Sequence, residues 1–480
     1  MPSLKRNFFF QFLLAFTQVA FPLITYPYLA RTLEPSGIGK VGYIEFIAGL
    51  IITIFSVGIP YYGVREIARL KNNIAGRGKT FLDLISIHLL TSLAGMAFFF
   101  VVLSLNKSFD DQPLLYLGAL YILLQAFSVE WYLQGTEAFD FIAIRSIVIR
   151  IVGIIAIFLF VKTKTDFIIY YGIITATQLL VSIVSLSKAI AENNFTKASI
   201  QLQPHFKPLL YFFLTTTFIS TYVFFDTIIL GFLTTEEHVG YYTFSLRIVK
   251  LPLLLLLTFN TVLYPRISFL QTEKMEDEAK KYQIFTADLI LTLTIPLTVC
   301  FYFLAPEIIS LLGGAKFYPS IPVLQILAPL PFVISLSNFF FLQVLSPQLK
   351  EKRIMLTVLL GSMLSIGLNY LLIPSLKEKG AAIAALTTES FVCILLAIFS
   401  WQHVKVIMKW KTFISSSVLS VFVLPITILC KGQFNQPLMI ILSTILFFGI
   451  IYILVQAFLL RNMAMRAALF FKKNCSIVNR

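Results

Sequence analysis

Long apolar segments alternate with short polar connections along the whole chain. A window of about 19 residues is suited to finding helices that cross a bilayer. It predicts fourteen such spans, at residues 8–30, 41–63, 81–104, 114–133, 141–161, 167–187, 209–233, 241–263, 284–304, 321–345, 354–374, 381–400, 412–430 and 438–460. Almost every connection is short, so we expect an all-α polytopic membrane protein with no separate soluble domain. A count of twelve or thirteen stays open, because the pattern is weakest between spans nine and ten.

The composition supports the membrane interpretation. Apolar residues make up 58% of the chain and charged residues only 13%, whereas about 25% of an ordinary soluble chain is charged. A soluble fold of this size could not bury such an apolar excess, which excludes a soluble enzyme, a nucleic-acid-binding domain and a disordered protein. Of the 38 lysines and arginines, 25 lie in segments on one predicted side of the membrane and 9 in loops on the other. Because basic loops stay inside, this bias predicts that both termini are cytoplasmic.

A weak internal repeat divides the chain. A shift of 201 residues brings Gly39 onto Gly240 and Arg65 onto Arg266, so span one aligns with span seven. Parallel repeats of this kind build many transporters, with the substrate between the halves. We therefore predict two pseudo-symmetric six-helix lobes around a central cavity, plus two extra C-terminal helices. The predicted parts are an N-terminal lobe (1–187), a cytoplasmic linker (188–208), a C-terminal lobe (209–400), the extra helices (401–460) and a basic cytoplasmic tail (461–480).

Several ionisable residues lie deep inside the predicted spans. Such groups cost about 2.5–3.5 kcal/mol on insertion and usually face a cavity or a partner. The deep set comprises Arg150, Arg247, Lys250, Asp226, Glu45 and Glu389. Arg247 and Lys250 are three residues apart, so we expect them to share one face of span eight. The set predicts a water-filled cavity richer in cations than in anions. Because guanidinium groups bind phosphate bidentately, a phosphorylated substrate is favoured over a cationic one.

Other charges lie nearer the membrane surfaces. Glu130 and Arg145 fall at the cytoplasmic end of a predicted antiparallel hairpin, which predicts a structural ion pair. Arg31 ends span one at the outer edge, whereas Arg65 and Glu66 end span two at the inner edge.

No motif for catalysis, metal binding or cofactor binding stands out. The four cysteines match no metal-ligand or disulfide spacing. The segment from Gly76 to Thr80 ends like a phosphate-binding loop, but the position of that loop's first glycine is Asn73. We expect no catalytic residues, no metal and no cofactor, and hence no enzyme.

Three segments resemble the polysaccharide (O-antigen) flippases. FPLITYPYLAR at residues 21–31, followed by Gly37, Ile38 and Gly39, is similar to the first helix and turn of that family. REIAR at residues 65–69 resembles the end of its second helix, and EWYLQGTE at residues 130–137 resembles the stretch after its fourth helix. The resemblance covers spans one to six well and the second lobe by hydropathy alone.

The resemblance implies the fold of the multidrug, oligosaccharidyl-lipid and polysaccharide exporter superfamily. The implied substrate is an oligosaccharide on a polyprenyl diphosphate, moved to the outer leaflet of a bacterial inner membrane by alternating access. Arg31, Arg65 and Glu66 are functional positions by the same resemblance. We expect five residues to contact substrate, namely Arg31, Arg65, Arg150, Arg247 and Lys250. We expect four others to serve as counter-charges or as sites for coupling H⁺ or Na⁺, namely Glu45, Glu66, Asp226 and Glu389. A polysaccharide polymerase and glycosyltransferases are implied partners. Family members commonly have twelve helices, so two of the fourteen depart from the pattern.

Two other functions stay open. A cation-coupled multidrug exporter of the same superfamily would need a cavity dominated by acids. A membrane polysaccharide polymerase or glycosyltransferase usually needs a large external loop or an acidic catalytic site, and the external loops here are short.

Overall fold

The computed structural model describes residues 4–70, 73–104, 111–193, 200–273, 275–348, 350–401 and 410–459. Within these ranges the regular structure is helical. The α-helices are α1 (Leu4–Phe55), α2 (Ile59–Arg69), α3 (Ile74–Ser104), α4 (Gln112–Gln125), α5 (Glu130–Gly135), α6 (Phe139–Phe160), α7 (Phe167–Ala191), α8 (Gln203–Leu233), α9 (Glu236–Thr272), α10 (Glu276–Phe303), α11 (Ala305–Leu312), α12 (Ser320–Leu327), α13 (Leu330–Phe339), α14 (Glu351–Phe399), α15 (Trp410–Ser420), α16 (Val423–Gln433) and α17 (Pro437–Leu459). The predicted basic tail, 461–480, lies outside the described residues.

Two of these helices each join two predicted spans through one non-helical residue. In α1 the break is Glu34, with φ 60° and ψ 175°, and in α14 it is Lys377, with φ 52° and ψ −127°. Pro35 follows Glu34 directly, and a proline disfavours helical backbone in the residue before it. We call residues 4–33 and 35–55 the first and second arms of α1.

The structure departs from several predicted spans. Span two ends early, because Val57 and Gly58 both have positive φ and the short helix α2 follows them. Span four is divided into α4 and α5 by Val129, which also has positive φ. Span ten is divided into α12 and α13 near Pro329.

Ten helical segments among the described residues are long and apolar enough to cross a membrane. Two of them, Leu13–Phe55 and Lys352–Phe399, contain the kinked pairs of spans. The protein is therefore a multi-pass membrane protein, while the count of fourteen spans stays a prediction.

The two lobes meet along α1, α8 and α9, which pack against one another. One buried core joins them, with Ile44 and Tyr171 from the first lobe and Phe244 and Leu327 from the second. The extra helices α15–α17 attach to the second lobe through α10 and α11.

Residues related by the repeat touch each other where the lobes meet. A Cβ at Gly39 would lie 1.7 Å from the Glu236 carbonyl oxygen, and a Cβ at Gly240 would lie 2.0 Å from the Pro35 carbonyl oxygen. Pro35 and Glu236 are separated by the same 201 residues as the two glycines. Such reciprocal contacts are typical of a two-fold axis, which here passes between the second arm of α1 and α9.

Candidate functional site: the central cavity

A cavity of about 310 Å³ lies in the second lobe and a larger one of about 720 Å³ lies against the first lobe and the contact between lobes. The larger one, here called the central cavity, is lined by both arms of α1, by α6 and α7, and by two residues of the second lobe, Phe224 and Arg247. Its volume falls within the range of small-molecule sites.

Stripes of polar residues line two walls of the central cavity. On the first arm of α1 these are Thr17, Gln18 and Thr25, and on α7 they are Thr177 and Gln178. Thr25 lies eight residues after Thr17, and Tyr170, which also lines the cavity, lies seven residues before Thr177. Residues at these spacings share one face of a helix. Sequence reasoning missed them because it considered ionisable side chains alone, although the helical spacing could have revealed the stripe.

Arg247 joins the second lobe to the first across the central cavity. Its guanidinium forms an ion pair with Glu45 on the second arm of α1. Its Nη1 also lies 3.5 Å from the hydroxyl oxygen of Tyr26 on the first arm. Both carboxylate and guanidinium line the cavity, so the two deep charges neutralise each other at the contact between lobes.

Arg145 is held inside the wall of the cavity. Its Nη2 lies 2.5 Å from Glu130 Oε1, and its Nη1 donates to Ser185 Oγ. Arg145 is only 5% exposed, which makes a partner necessary, since an unpaired buried charge is costly.

Arg150 differs from the other two arginines of the cavity. Its Nη1 donates to Thr17 Oγ1 over 3.1 Å, and within the described part of the chain it forms no ion pair. The cavity thus holds three guanidinium groups and two carboxylates, Glu45 and Glu130. One positive charge, that of Arg150, remains for an anionic ligand.

Lys250 lines the other cavity, together with Asp226 and Glu389. Three residues of an α-helix rotate a side chain by about 300°, which leaves neighbours about 60° apart. Arg247 therefore faces the central cavity while Lys250 faces the second-lobe cavity, and the expected shared face divides between two sites. Asp226 does not pair with Arg247.

The Asp226 carboxylate accepts hydrogen bonds from α14. Asn369 Nδ2 lies 2.6 Å from its Oδ1 and Ser365 Oγ lies 3.2 Å from the same oxygen. Asn369 and Ser365 carry no charge, so the search for ionisable residues did not find them. Among the described residues, no group of three or more His, Cys, Asp and Glu side chains could hold a metal ion.

Comparison with known proteins assigns the chain to a family. The family described as "Polysaccharide biosynthesis protein" matches residues 4–271, which is more than half of the chain. The chain belongs to the polysaccharide biosynthesis protein family. The matched segment contains every residue that lines the central cavity, from Thr17 to Arg247.

Two relatives of this polysaccharide biosynthesis protein carry the name "Putative O-antigen transporter". The one from Escherichia coli (strain K12) is 27% identical over 415 residues, covering 83% of this chain and 96% of its own. The one from Shigella dysenteriae is 24% identical over 405 residues, covering 84% of this chain and 100% of its own.

Two solved structures share the fold. A structure described as lipid II flippase MurJ in an inward closed conformation has a TM-score of 0.65 at 18% identity, covering 89% of this chain and 98% of its own. An outward-facing multidrug resistance MATE family transporter of the MOP superfamily has a TM-score of 0.52 at 13% identity, covering 85% and 97%. At these identities the likeness shows the two-lobe fold and no more.

Three residues that the resemblance marked as functional lie outside both cavities of this family member. Arg31 Nη2 donates to the Leu311 carbonyl oxygen over 2.8 Å, linking the first lobe to α11 of the second. Arg65 is exposed and lies 3.1 Å from Glu66 Oε1, its neighbour at the end of α2. Of the five residues expected to contact substrate, the central cavity brings together Arg150 and Arg247.

Proposed function

We propose that this protein is a flippase that moves polyprenyl-diphosphate-linked oligosaccharide from the cytoplasmic to the outer leaflet for surface polysaccharide biosynthesis. The family, the two relatives named as O-antigen transporters and the fold shared with a lipid II flippase support this proposal. The observation that carries it is Arg150, a guanidinium that forms no ion pair with any described residue and lies on the wall of a 720 Å³ cavity.

The central cavity suits the polar part of such a lipid. Arg150 would bind the diphosphate, because guanidinium donors match phosphate oxygens in pairs. Arg247 pairs with Glu45 in this structure and would release Glu45 to bind the diphosphate. Thr17, Gln18 and Gln178 would offer hydrogen bonds to sugar hydroxyls, while the prenyl chain stays among the lipids between the lobes.

The second-lobe cavity would serve a different purpose. Asp226, Glu389 and Lys250 line this cavity together. Lys250 would neutralise the two carboxylates rather than contact substrate. Asp226 and Glu389 are the proposed site for coupling to H⁺ or Na⁺. We assign transport, not catalysis, to the protein.

The proposed setting is a bacterial inner membrane with both termini in the cytoplasm. The lobes would be residues 1–187 and 209–400, joined by the cytoplasmic linker 188–208, and would rock about the contact between α1 and α9. Arg31 would act at the outer contact between the lobes and Arg65 with Glu66 at the cytoplasmic one. A polysaccharide polymerase and glycosyltransferases would consume and supply the lipid.

The membrane potential favours the proposed direction. Moving about two negative charges outward across an inside-negative 100 mV gains about 4–5 kcal/mol. The test is transfer of a fluorescent polyprenyl-diphosphate oligosaccharide in proteoliposomes with and without a potential. We expect an inside-negative potential to accelerate outward transfer. We also expect Arg150→Ala to reduce transfer at least about tenfold, since a hydrogen bond to a charged group contributes about 1.5–3 kcal/mol.

Arg353→Ala is the matched control, because Arg353 is exposed at the start of α14, far along the chain from the central cavity. It should leave transfer unchanged. Absence of transfer by the wild-type protein under any gradient would overturn the proposal. Full transfer by Arg150→Ala would remove Arg150 from the binding site.

The second candidate function is a cation-coupled multidrug exporter. The two carboxylates of the second-lobe cavity and the fold shared with a MATE transporter favour it. Efflux of a cationic dye from cells, reduced by Glu389→Gln, together with no transfer of the lipid-linked oligosaccharide, would establish this alternative.

A further inference from the structure

A third cavity, here called the side cavity, lies within the first lobe. It has a volume of about 380 Å³, opens at the surface beside Tyr61, and is lined by the second arm of α1 with α2, α3, α4 and α5. Glu130 lines both the side cavity and the central cavity, so the two adjoin at this carboxylate. The roles proposed above for the charged residues of the central cavity and of the second lobe do not account for this side cavity.

Two buried nitrogen atoms in the lining of the side cavity have no hydrogen-bond partner among the described residues. They are His88 Nδ1 and Trp131 Nε1, on residues that are 5% and 4% exposed. Native proteins satisfy the large majority of such atoms, because leaving one unpaired costs about 1–3 kcal/mol. Both side chains line the side cavity, so a small turn of either ring would offer a ligand an imidazole nitrogen or an indole N–H, which together suit a ligand that both donates and accepts.

Apart from Glu130, which pairs with Arg145, the polar residues of the lining are neutral. Gln125 and Gln134 contribute amides, Ser128 a hydroxyl and Tyr61 an aromatic ring with a polar end. The described lining residues include no lysine or arginine, so the side cavity does not suit a phosphate group. Amides and hydroxyls bind hydroxyl groups, and aromatic rings cover apolar C–H faces. A sugar ring presents both kinds of surface.

We propose that the side cavity is the subsite that recognises sugars of the transported lipid-linked oligosaccharide, adjacent to the diphosphate position at Arg150. This assignment rests on the proposed flippase function. Its volume lies in the range of small-molecule sites, which run from about 300 to 1,000 Å³. The side cavity selects the glycan, and the arginine of the central cavity holds the diphosphate that all such lipids share.

The test compares two lipids in the proteoliposome assay. One is the lipid-linked oligosaccharide extracted from membranes of the source organism, and the other is the same lipid trimmed enzymatically to its first sugar. The variants are His88→Phe, which keeps an aromatic ring and removes both nitrogens, and Gln134→Leu at an exposed position. We expect each to slow transfer of the full oligosaccharide about tenfold, the effect of losing one or two hydrogen bonds. Transfer of the trimmed lipid should stay within about twofold of wild type.

Thr91→Val is the matched control, since Thr91 lies on α3 three residues from His88 and donates its hydroxyl to carbonyls of its own helix. It should transfer both lipids normally. If the variants slow both lipids equally, or neither, the side cavity is not a sugar subsite and the flippase function stands. If the wild-type protein transfers neither lipid, the flippase function itself is wrong.

A binding measurement avoids dependence on turnover. The chain has three tryptophans, so the double variant Trp401→Phe, Trp410→Phe leaves Trp131 as the single indole reporter. Oligosaccharide released from the lipid should change the Trp131 emission, and His88→Phe should weaken that binding about tenfold or more. An emission that the oligosaccharide leaves unchanged would contradict binding of sugars in the side cavity.

Discussion

The three arginines of the central cavity show that a charge inside the membrane does not by itself identify a binding residue. Arg145 is locked between Glu130 and Ser185, and Arg247 is neutralised by Glu45. Arg150 donates a hydrogen bond to the Thr17 hydroxyl and has no carboxylate partner among the described residues. Arg145 therefore stabilises the first lobe, Arg247 joins the lobes, and Arg150 is available for a ligand.

This difference predicts opposite results for two variants. Glu130→Ala should lower the melting temperature in detergent, because it leaves the buried Arg145 guanidinium without its carboxylate, at a cost of about 1–3 kcal/mol with Glu130 itself 44% exposed. Arg150→Ala should leave the melting temperature close to wild type while transport falls. Thermal unfolding of the purified proteins, followed by circular dichroism, checks both. Equal melting temperatures for the two variants would contradict the structural role given to the Glu130–Arg145 pair.

The sequence predicted which residues are charged inside the membrane but not which cavity each one faces. The depth of a residue in the membrane follows from its position along the helix, whereas the cavity that it faces depends on how the helix is rotated against its neighbours. Arg247 and Lys250 show this, because their side chains point about 60° apart around α9 and therefore line two different cavities. The sequence did not identify Asn369 and Ser365 as members of a site, because their role comes from hydrogen bonds to Asp226, which lies far from them along the chain.

At the scale of helices, α1 and α9 cross in close contact between the lobes. Gly39 and Gly240 let the two backbones approach until a Cβ on either glycine would overlap a carbonyl oxygen of the other helix. Small residues allow such crossings in membrane proteins, where close packing replaces the hydrophobic effect as the source of helix association.

Gly39→Ala should therefore separate the lobes at this crossing. The added Cβ would lie 1.7 Å from the Glu236 carbonyl oxygen, a backbone atom that cannot rotate away. Overpacking of this kind costs about 1–3 kcal/mol, so we expect a lower melting temperature and slower transport. The matched control is Gly367→Ala, at a glycine inside α14 with no atom within 4 Å of the added Cβ. It should be neutral or stabilising, because alanine favours a helix by about 1 kcal/mol over glycine.

The repeat in the sequence pointed to this pair of glycines, and the fold class followed from hydropathy. Hydropathy also places the breaks at Glu34 and Lys377 in connections between predicted spans. It does not predict the break at Val129, which lies inside span four. Tertiary packing holds these backbone conformations, and a single sequence does not display that packing.

At the scale of the whole molecule, contacts join the lobes at both ends of the bundle. At the end predicted to face outward, Lys316 Nζ lies 2.5 Å from Glu34 Oε1 and Arg31 reaches the Leu311 carbonyl oxygen. At the other end the hydroxyl of Tyr62 lies 2.8 Å from His205 Nδ1, which joins α2 to the start of α8. Alternating access requires each set of contacts to break while the other holds.

Lys316→Glu should bias the protein towards opening on the outer side, because it replaces an ion pair with repulsion between two carboxylates. The Lys316 side chain is 62% exposed, so the effect is limited to about 1 kcal/mol, or about fivefold in the population of the open state. The reporter is Thr177→Cys on the cavity wall, in a protein whose four native cysteines are replaced by alanine. A thiol reagent that does not cross the membrane, added outside, should label Cys at position 177 about fivefold faster in the Lys316→Glu background.

The control is Tyr62→Phe, which removes the contact with His205 at the opposite end. It should leave labelling from outside unchanged or make it slower. Faster labelling in both backgrounds would indicate general loosening of the lobes and would contradict a separate outer closure.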